Sequence, residues 1–328
     1  MKREMDIVES LIRSAGRRLD PPGDAYRQVL ASATDAFRRK SVRRRQARWF
    51  ALAAAIATLV VGAVLMMQWN APAGRGDLAS IERATGGVEL AHGDGWQPLD
   101  GNRGSLGTGR RLRTQPDGRA ALRLAGGASL RLAGETEVLL DAPGRIFVHH
   151  GTIYVDGGVR PGADPIEVVT PGGTAREIGT QFELQVAGAR LRLRVREGSV
   201  SVDRGGRSLV GAAGEQIEID DAGSVRRSAI GPASDAWAWA EAVAPVPNVD
   251  GRPATQLISW VARETGRRLR YESPAVEERA ATVILHGNIH HLPPLAALEA
   301  MLATTDLEYV LEDDTMEIRA RSEPIAEP

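Results

Sequence analysis

Hydrophobic and polar residues alternate in short segments through most of residues 78–225, and glycine or Pro-Asp-Gly turns separate these segments. The clearest case is 190–196, where Leu191, Leu193 and Val195 fall on one face and arginines occupy the other. A period of two is typical of a strand with one buried face. The pattern therefore predicts an all-β domain over 78–225. The arginine stripe is predicted to be a solvated outer face, with an anion-binding or partner-binding surface as the alternative.

Residues 253–320 follow a different pattern, in which helical periodicity and strand-like segments are mixed. Gly266 is placed to end the first of two helical stretches. The predicted helices cover 253–266 and 293–304, and the predicted strands cover 269–271, 282–286, 307–311 and 315–318. The pattern predicts a small α+β domain at 253–320, with a linker at 226–252 before it and a short tail at 321–328 after it.

An uncharged, apolar run extends from Trp49 to Asn70. Its length suits one helix across a hydrocarbon core of about 30 Å. Basic residues crowd the N-terminal flank at 38–48, whereas none occurs on the other flank before Arg75. By the positive-inside rule, this asymmetry predicts a transmembrane helix at 49–70, followed by a linker at 71–77, with residues 1–48 in the cytoplasm and the C-terminal part exported.

The N-terminal 48 residues contain two stretches with apolar residues at helical spacing, separated by Pro21-Pro22. They predict a short helical tail. Two helices of this length bury too little apolar surface to be stable alone, so a partner protein or the membrane surface is expected to cover them. The arginine run at 38–48 is interpreted as a topology signal in contact with anionic lipid, in preference to a nucleic-acid site.

The stretch 168–186, VVTPGGTAREIGTQFELQV, is rich in glycine. A phosphate-binding loop would place such glycines between a strand and a helix, with a Lys or a dinucleotide spacing beside them. Here Gly179-Thr180 leads back into a strand, and neither motif occurs. The glycines are predicted to turn corners in a sheet, with a tight turn at Pro171-Gly172-Gly173. Gly179 is predicted to permit a bulge or a close backbone approach before Gln181-Phe182.

Within this stretch, a set of residues resembles the core signature of the FecR family. They are Thr170, Pro171, Gly173, Thr174, Gly179, Thr180 and Phe182, with Arg176 between them. Further similar elements extend the resemblance over about 80–220. The family consists of inner-membrane regulators that act on extracytoplasmic-function sigma factors. The resemblance implies a structural role for the signature residues, since none of the matched positions is known as catalytic.

The resemblance implies a single-pass transducer in a bacterial inner membrane, which controls a sigma factor in response to a periplasmic signal. The predicted sigma-factor contacts are Ile7, Leu11, Tyr26, Val29 and Phe37, as anchors of the helix-in-groove type. The helix and strand order of 253–320 is similar to the short N-terminal domain of secretins and TonB-dependent proteins, which implies an outer-membrane TonB-dependent transducer or another periplasmic protein as partner. The alternative is a non-enzymatic envelope scaffold that uses the N-terminal tail only as an anchor.

The amino-acid composition mainly excludes certain kinds of chemistry and binding. Cysteine is absent, which excludes disulfides and thiolate chemistry, and the formal net charge of -1 argues against a chain-wide nucleic-acid surface. Histidines cluster beside turns and at strand ends, where packing or surface roles are favoured over a metal site: His149, His150, His286, His290 and His291. The acidic pairs fall in polar turns. We therefore predict no metal, no cofactor and no enzymatic activity.

Overall fold

The computed structural model describes residues 77–99, 104–158, 165–177, 179–290 and 292–321. These residues belong to one compact unit, Arg75–Pro328. Along the described chain, a β-sandwich comes first, a connecting segment with two short helices follows, and a C-terminal module of helices and strands comes last. The division into separate domains at the boundaries given above stays a prediction.

The predicted fold class is wrong and needs correction. Strands hold 51% of the described residues and helices 16%, so the chain is mostly β-sheet where it is described. The helical tail predicted at 1–48 and the transmembrane helix predicted at 49–70 are not seen, and both segments lie outside the described residues. That prediction rested on hydropathy, helical spacing and flanking charge within 1–70, whereas the strand content of the described chain comes from the alternating pattern of 78–225.

Among the helices of the described residues, none has the length and apolar character needed to cross a membrane.

The β-sandwich contains the strands β1 to β17. Their bounds are Ala79–Thr85 (β1), Val88–His92 (β2), Gly95–Pro98 (β3), Ser105–Leu106 (β4), Arg110–Thr114 (β5), Arg119–Leu124 (β6), Ser129–Leu132 (β7), Glu137–Ala142 (β8), Arg145–Asp156 (β9), Ile166–Thr170 (β10), Gly173–Glu177 (β11), Gln181–Ala187 (β12), Arg190–Glu197 (β13), Ser199–Arg204 (β14), Arg207–Ala212 (β15), Glu215–Ile219 (β16) and Val225–Ala229 (β17).

These strands form two sheets that share the long strand β9. Sheet 1 has the order β4, β1, β6, β7, β9, β12, β13, β16, β17, and sheet 2 has the order β3, β2, β5, β8, β9, β10, β11, β14, β15. Neighbouring strands are antiparallel except for β9 and β10. Apolar side chains of both sheets form one core. The two segments on either side of Gly151 are thus one strand that passes from sheet 2 into sheet 1.

The period-two pattern of 190–196 is confirmed in β13. Leu191, Leu193 and Val195 are buried in the core, and Arg190 on the opposite face is exposed. Arg196 departs from the pattern because it is only 4% exposed although it lies on the outer face. Another part of the chain therefore covers the outer face of sheet 1 at the C-terminal end of β13.

The connecting segment, residues 230–251, provides part of this cover. It contains a 3-10 helix, Asp235–Trp237, and the short helix α1, Ala238–Ala242. Trp237 and Ala240 pack against Tyr154 of β9 in a small apolar cluster. A segment rich in alanine, proline and tryptophan is thereby folded against the sandwich.

The C-terminal module has its own apolar core. Its elements are β18 (Arg252–Pro253), α2 (Ala254–Thr265), β19 (Arg268–Tyr271), α3 (Pro274–Thr282), β20 (Ile284–Leu285), α4 (Pro294–Leu302), β21 (Leu307–Glu312) and β22 (Thr315–Ala320). β19, β22 and β21 form one small sheet, and β18 pairs with β20. The predicted helices at 253–266 and 293–304 correspond to α2 and α4. Helix α3 was not predicted, because only Val276 and Ala280 of its residues are buried and its periodicity is correspondingly weak.

Candidate functional site

Polar side chains form a row across the outer face of sheet 1. Strand register places Arg131 of β7 beside Tyr154 of β9, Tyr154 beside Glu183 of β12, and Glu183 beside Arg194 of β13. Cross-strand neighbours on one face of a sheet are close enough to interact directly. The connecting segment and the C-terminal end of α2 contact this row, so the row forms the junction between the sandwich and the C-terminal module.

Arg131 is completely buried at this junction. Its Nη2 donates to Oε1 of Glu264 in α2 at 2.9 Å, and Nη1 lies 2.7 Å from Oε2 of the same carboxylate. Nη1 also donates to the carbonyl oxygen of Ala240 at 3.0 Å. The guanidinium carbon lies 5.0 Å from the ring centroid of Tyr154, within the range of a cation–π contact. A buried charge needs such a complete set of partners to be tolerated.

Arg196 joins three parts of the chain. Its Nε donates to the carbonyl oxygen of Pro232 at 2.6 Å, Nη2 contacts Glu241 at 2.7 Å, and Nη1 donates to the backbone carbonyl of Glu264 at 2.7 Å. That carbonyl is in the last turn of α2, where carbonyls lack helical partners and the helix dipole is negative. Its guanidinium carbon also lies 5.2 Å from the centroid of the Trp237 ring.

Gly266 makes the approach of these groups possible. It ends α2 in the left-handed conformation, with φ of 64°, which glycine adopts without a steric penalty. A Cβ at this position would lie 2.2 Å from the carbonyl oxygen of Pro232 and 2.3 Å from Nε of Arg196. The prediction that Gly266 stops the helix is confirmed, and its second role in the junction follows only from the tertiary structure.

Arg263, also in α2, forms a second ion pair at the edge of the junction. Its Nε donates to Oδ2 of Asp156 at 3.2 Å, and Nη1 donates to Glu197 at 3.3 Å. Asp156 also accepts from the amide of Gln181 at 3.1 Å and from the backbone N–H of Gly158 at 3.0 Å. Burial alone would raise the pKa of Asp156, but Arg263 and these donors lower the pKa below its usual value. Asp156 is therefore held as a carboxylate.

The arginine stripe of β13 is consequently not a solvated face over its whole length. Arg192 and Arg194 both donate to Glu183, at 3.4 and 3.1 Å, and Trp239 of the connecting segment donates to the same carboxylate at 2.8 Å. The predicted solvated face is wrong for Arg196, whose partners come from the connecting segment and α2.

Tyr154 is the least satisfied polar group of the junction. Its hydroxyl is buried and has no hydrogen-bond partner among the described residues. Burial raises the pKa of Tyr154 to about 12, although the positive charges of Arg196 and Arg131 act in the opposite direction. Tyr154 therefore stays neutral, and it contributes to the junction through the contacts of its ring with Arg131 and Trp237.

The seven signature residues lie together on the path from β10 to β12. Thr170, at the end of β10, donates from its hydroxyl to the carbonyl oxygen of Gly173 at 2.7 Å, and Pro171 is in the turn that follows. Thr174 is in β11, Gly179 and Thr180 precede β12, and Phe182 in β12 is fully buried in the core. The bulge predicted before Phe182 is present as a register shift between Gln181 and Phe182.

Glu177 and Thr180 form a buried polar pair within this signature region. Oε2 of Glu177 accepts from the backbone N–H of Thr180 at 2.9 Å and from its hydroxyl at 2.8 Å. Burial raises the pKa of Glu177, and the two hydrogen bonds from Thr180 offset this only in part. The charged form of Glu177 is thus disfavoured in the folded protein.

Glu177→Gln is expected to raise the stability slightly at pH 7. Because the pKa of Glu177 is raised on folding, the stability linked to its protonation is complete below the unfolded pKa of about 4.3 and is lost as the pH rises through the folded value. The amide does not titrate, so its advantage should vanish towards pH 4. Urea unfolding at both pH values measures this, with Glu278→Gln at an exposed position of α3 as the control. A loss of stability at pH 7 would show that the hydrogen bonds outweigh the burial.

The other predicted positions contribute little to this site. Ile7, Leu11, Tyr26, Val29 and Phe37 lie outside the described residues. Of the histidines, His149 packs against Phe147 with the two rings tilted and their centroids 4.6 Å apart, and Nδ1 of His286 lies 3.3 Å from Oδ1 of Asp250. Among the residues that the structure describes, no group of three or more acidic or histidine side chains could hold a metal ion.

Sequence reasoning missed the residues at the centre of the junction, Arg131 and Glu264. Arg131 lies in the strand Ser129–Leu132, all of whose residues are buried. The signal available in the sequence was therefore a charged residue within a short, otherwise mainly apolar strand. Glu264 lies near the end of an ordinary amphipathic helix. No local pattern connects two residues that are 133 positions apart.

Comparison with known families agrees with the signature. Residues 110–201 match the family model for the FecR protein, and this range contains β5 to β13 and the beginning of β14. The chain therefore contains a FecR-like region, as the signature residues predict. No curated protein matches the chain. The likeness of the C-terminal module to the secretin and TonB short domain stays a prediction.

Two crystal structures of a proposed anti-sigma factor from Parabacteroides distasonis ATCC 8503 resemble the chain. The structure at 1.65 Å resolution has 16% sequence identity and a TM-score of 0.35, over 63% of this chain and 97% of that one. The structure at 2.50 Å has 16% identity and a TM-score of 0.34, over 64% of this chain and 97% of that one. These scores are too low to define the fold of this chain, which rests on the strand pairing described above.

Proposed function

We propose that this chain regulates an extracytoplasmic-function sigma factor in response to a signal received in the periplasm. The single observation that carries the proposal is the FecR match over 110–201. The FecR family is a regulatory one, and its resemblance to this chain implies control of such a sigma factor. In this proposal, the sandwich and the C-terminal module respond to the state of a partner, and residues near the N-terminus contact the sigma factor.

The proposed sigma-factor contacts are the apolar positions Ile7, Leu11, Tyr26, Val29 and Phe37. Apolar side chains at such positions bind partners by being buried in a groove, and the loss of water from their surface supplies the free energy. A charge introduced at one of them would have to be buried without a counter-charge, which costs several kcal/mol.

Leu11→Asp combined with Phe37→Asp is therefore expected to abolish regulation. A tagged full-length chain should copurify the sigma factor from cells, and the double variant should retain less than about a tenth of it. Transcription from the sigma-dependent promoter should stop responding to the chain. Gln28→Asp combined with Ser32→Asp adds the same charge at polar positions of the same segment, away from the apolar positions at helical spacing, and serves as the control. Equal recovery of the sigma factor with both double variants would contradict the proposed contacts.

The proposed partner of the exported part is an outer-membrane TonB-dependent transducer or another periplasmic protein, and the basic stretch at 38–48 is proposed to contact membrane lipid rather than nucleic acid. The corresponding location is the bacterial inner membrane, with a cytoplasmic N-terminus and a periplasmic C-terminus. A reporter that is active only in the periplasm, fused after Pro328, tests this location. An inactive reporter on a chain that is expressed and intact would contradict it.

A further inference from the structure

The sandwich and the C-terminal module have separate apolar cores. Among the described residues, the hydrogen bonds and ion pairs that join them converge on two neighbouring residues of α2, Arg263 and Glu264. Their partners on the sandwich are Arg131, Arg196, Asp156 and Glu197. Interfaces between domains that are polar in this way permit relative motion, unlike large apolar ones. The attachment of the module to the sandwich is therefore ionic and localised.

The connecting segment divides at the end of α1. Residues before this point stay with the sandwich, because Trp239 donates to Glu183 and Trp237 packs against Tyr154. Residues after it stay with the module, because the indole N–H of Trp260 in α2 donates to the carbonyl oxygen of Pro245 at 3.2 Å. The boundary between the two bodies thus falls at 243–244, where Val243 and Ala244 are themselves buried, so separation of the bodies must also uncover these two side chains.

A cleft of about 280 Å³ opens beside the charged contacts. Both ion pairs line it, Arg131 with Glu264 and Asp156 with Arg263, together with Trp260. Arg131 and Glu264 are nevertheless buried in the docked arrangement. Water would surround all four charged groups only after the module has moved away from the sandwich, a change that leaves the two separate apolar cores intact.

The energetics of the charged groups favour two arrangements of the module, docked and separated, over a continuous range of intermediate ones. A buried ion pair adds little net stability, because its desolvation cost nearly equals its Coulomb gain, but one charge left buried without its partner is strongly unfavourable. The docked arrangement satisfies every charge by pairing, and the fully separated arrangement satisfies every charge by water. Partly opened arrangements leave dry, unpaired charges and are disfavoured.

We propose that Arg263 and Glu264 form an ionic lock through which the C-terminal module docks on and leaves the sandwich as one body. The docked and released forms are the two states of the regulator, and this assignment rests on the function proposed above. Release removes Glu264 from Arg131 and Arg263 from the end of β13, and the module then moves relative to the sandwich at the boundary 243–244.

The lock is tested by a distance measurement in the full-length chain. The chain has no cysteine, so cysteines introduced at Ser208 of β15 and Glu278 of α3, both exposed, can be spin-labelled selectively. The wild type is expected to give one narrow distance. Glu264→Gln preserves the shape of the side chain but leaves Arg131 without a counter-charge, so the ratio of docked to released molecules should fall at least tenfold, with a second, broad distance population.

Two comparisons make this test decisive. Arg190→Gln removes an exposed ion pair, Arg190 with Asp221, within the sandwich and should leave the distance unchanged. An unchanged distance in Glu264→Gln would overturn the lock. A distance change accompanied by loss of the helical circular-dichroism signal would also overturn it, because the module would then be unfolding and would not be moving as one body. A second distance population without any change in sigma-dependent transcription would retain the lock and refute only its role in regulation.

Discussion

Phe182→Ala is expected to lower the free energy of unfolding by about 3–5 kcal/mol, the range for removal of a buried aromatic side chain. Phe182 is fully buried in β12, where it pairs with Val155 of β9 and Val195 of β13. These are the central strands of sheet 1, so the cavity left by the ring cannot be closed by the movement of a surface loop. Urea unfolding followed by circular dichroism measures the loss.

Val210→Ala is the matched control for this prediction. Val210 lies in β15 and is 55% exposed, so its truncation removes little buried surface and should change the free energy of unfolding by less than about 0.5 kcal/mol. If Phe182→Ala cost no more than Val210→Ala, the signature phenylalanine would not be a core residue. Its place in the FecR-like signature would then need a different explanation.

Gly151→Ala is expected to cost at least about 3 kcal/mol, from strain in a positive-φ conformation and from overpacking. Gly151 stands where β9 passes from sheet 2 into sheet 1, with φ of 101°. A Cβ there would lie 2.4 Å from the Cα of Thr136 and 2.6 Å from the carbonyl oxygen of Glu135. Because both contacts are with backbone, no side-chain rotation can relieve them. The thermal or urea unfolding transition measures the effect.

Gly188→Ala separates the two causes. Gly188 also has positive φ, 62°, but a Cβ there would meet nothing within 4 Å. This variant should show only the conformational strain, about 1–2 kcal/mol. Equal losses for both glycines would mean that the crossing of β9 does not depend on the close approach at Gly151.

The elements found correctly from the sequence have strong local periodicity. β13 follows its alternation of leucine or valine with arginine, and α2 and α4 follow their apolar spacing, because side-chain direction repeats every two residues in a strand and every 3.6 in a helix. α3 was missed although it has clear end signals. Ser273 caps it through a hydrogen bond from the backbone N–H of Val276, and Pro274 occupies its first turn.

The junction could not be predicted in the same way. Arg190 and Arg196 belong to one stripe of one strand, yet Arg190 is exposed and paired with Asp221, whereas Arg196 is buried against Glu241 and the end of α2. The sequence around each of them is the same alternation of arginine with an aliphatic residue. The difference comes from a chain segment that returns to the sheet after 36 to 68 residues.

Local sequence is enough to predict the strand character of the sandwich, the turns at the glycines near Phe182, the two amphipathic helices of the C-terminal module and the FecR-like signature. Each depends on neighbours within a few positions, where periodicity and turn chemistry act directly. By contrast, the membership of β9 in both sheets and the joint burial of Arg131, Arg196 and Glu264 follow from contacts between distant parts of the chain. Burial of a charge depends on which distant partners pack against it, and that packing is a property of the whole fold.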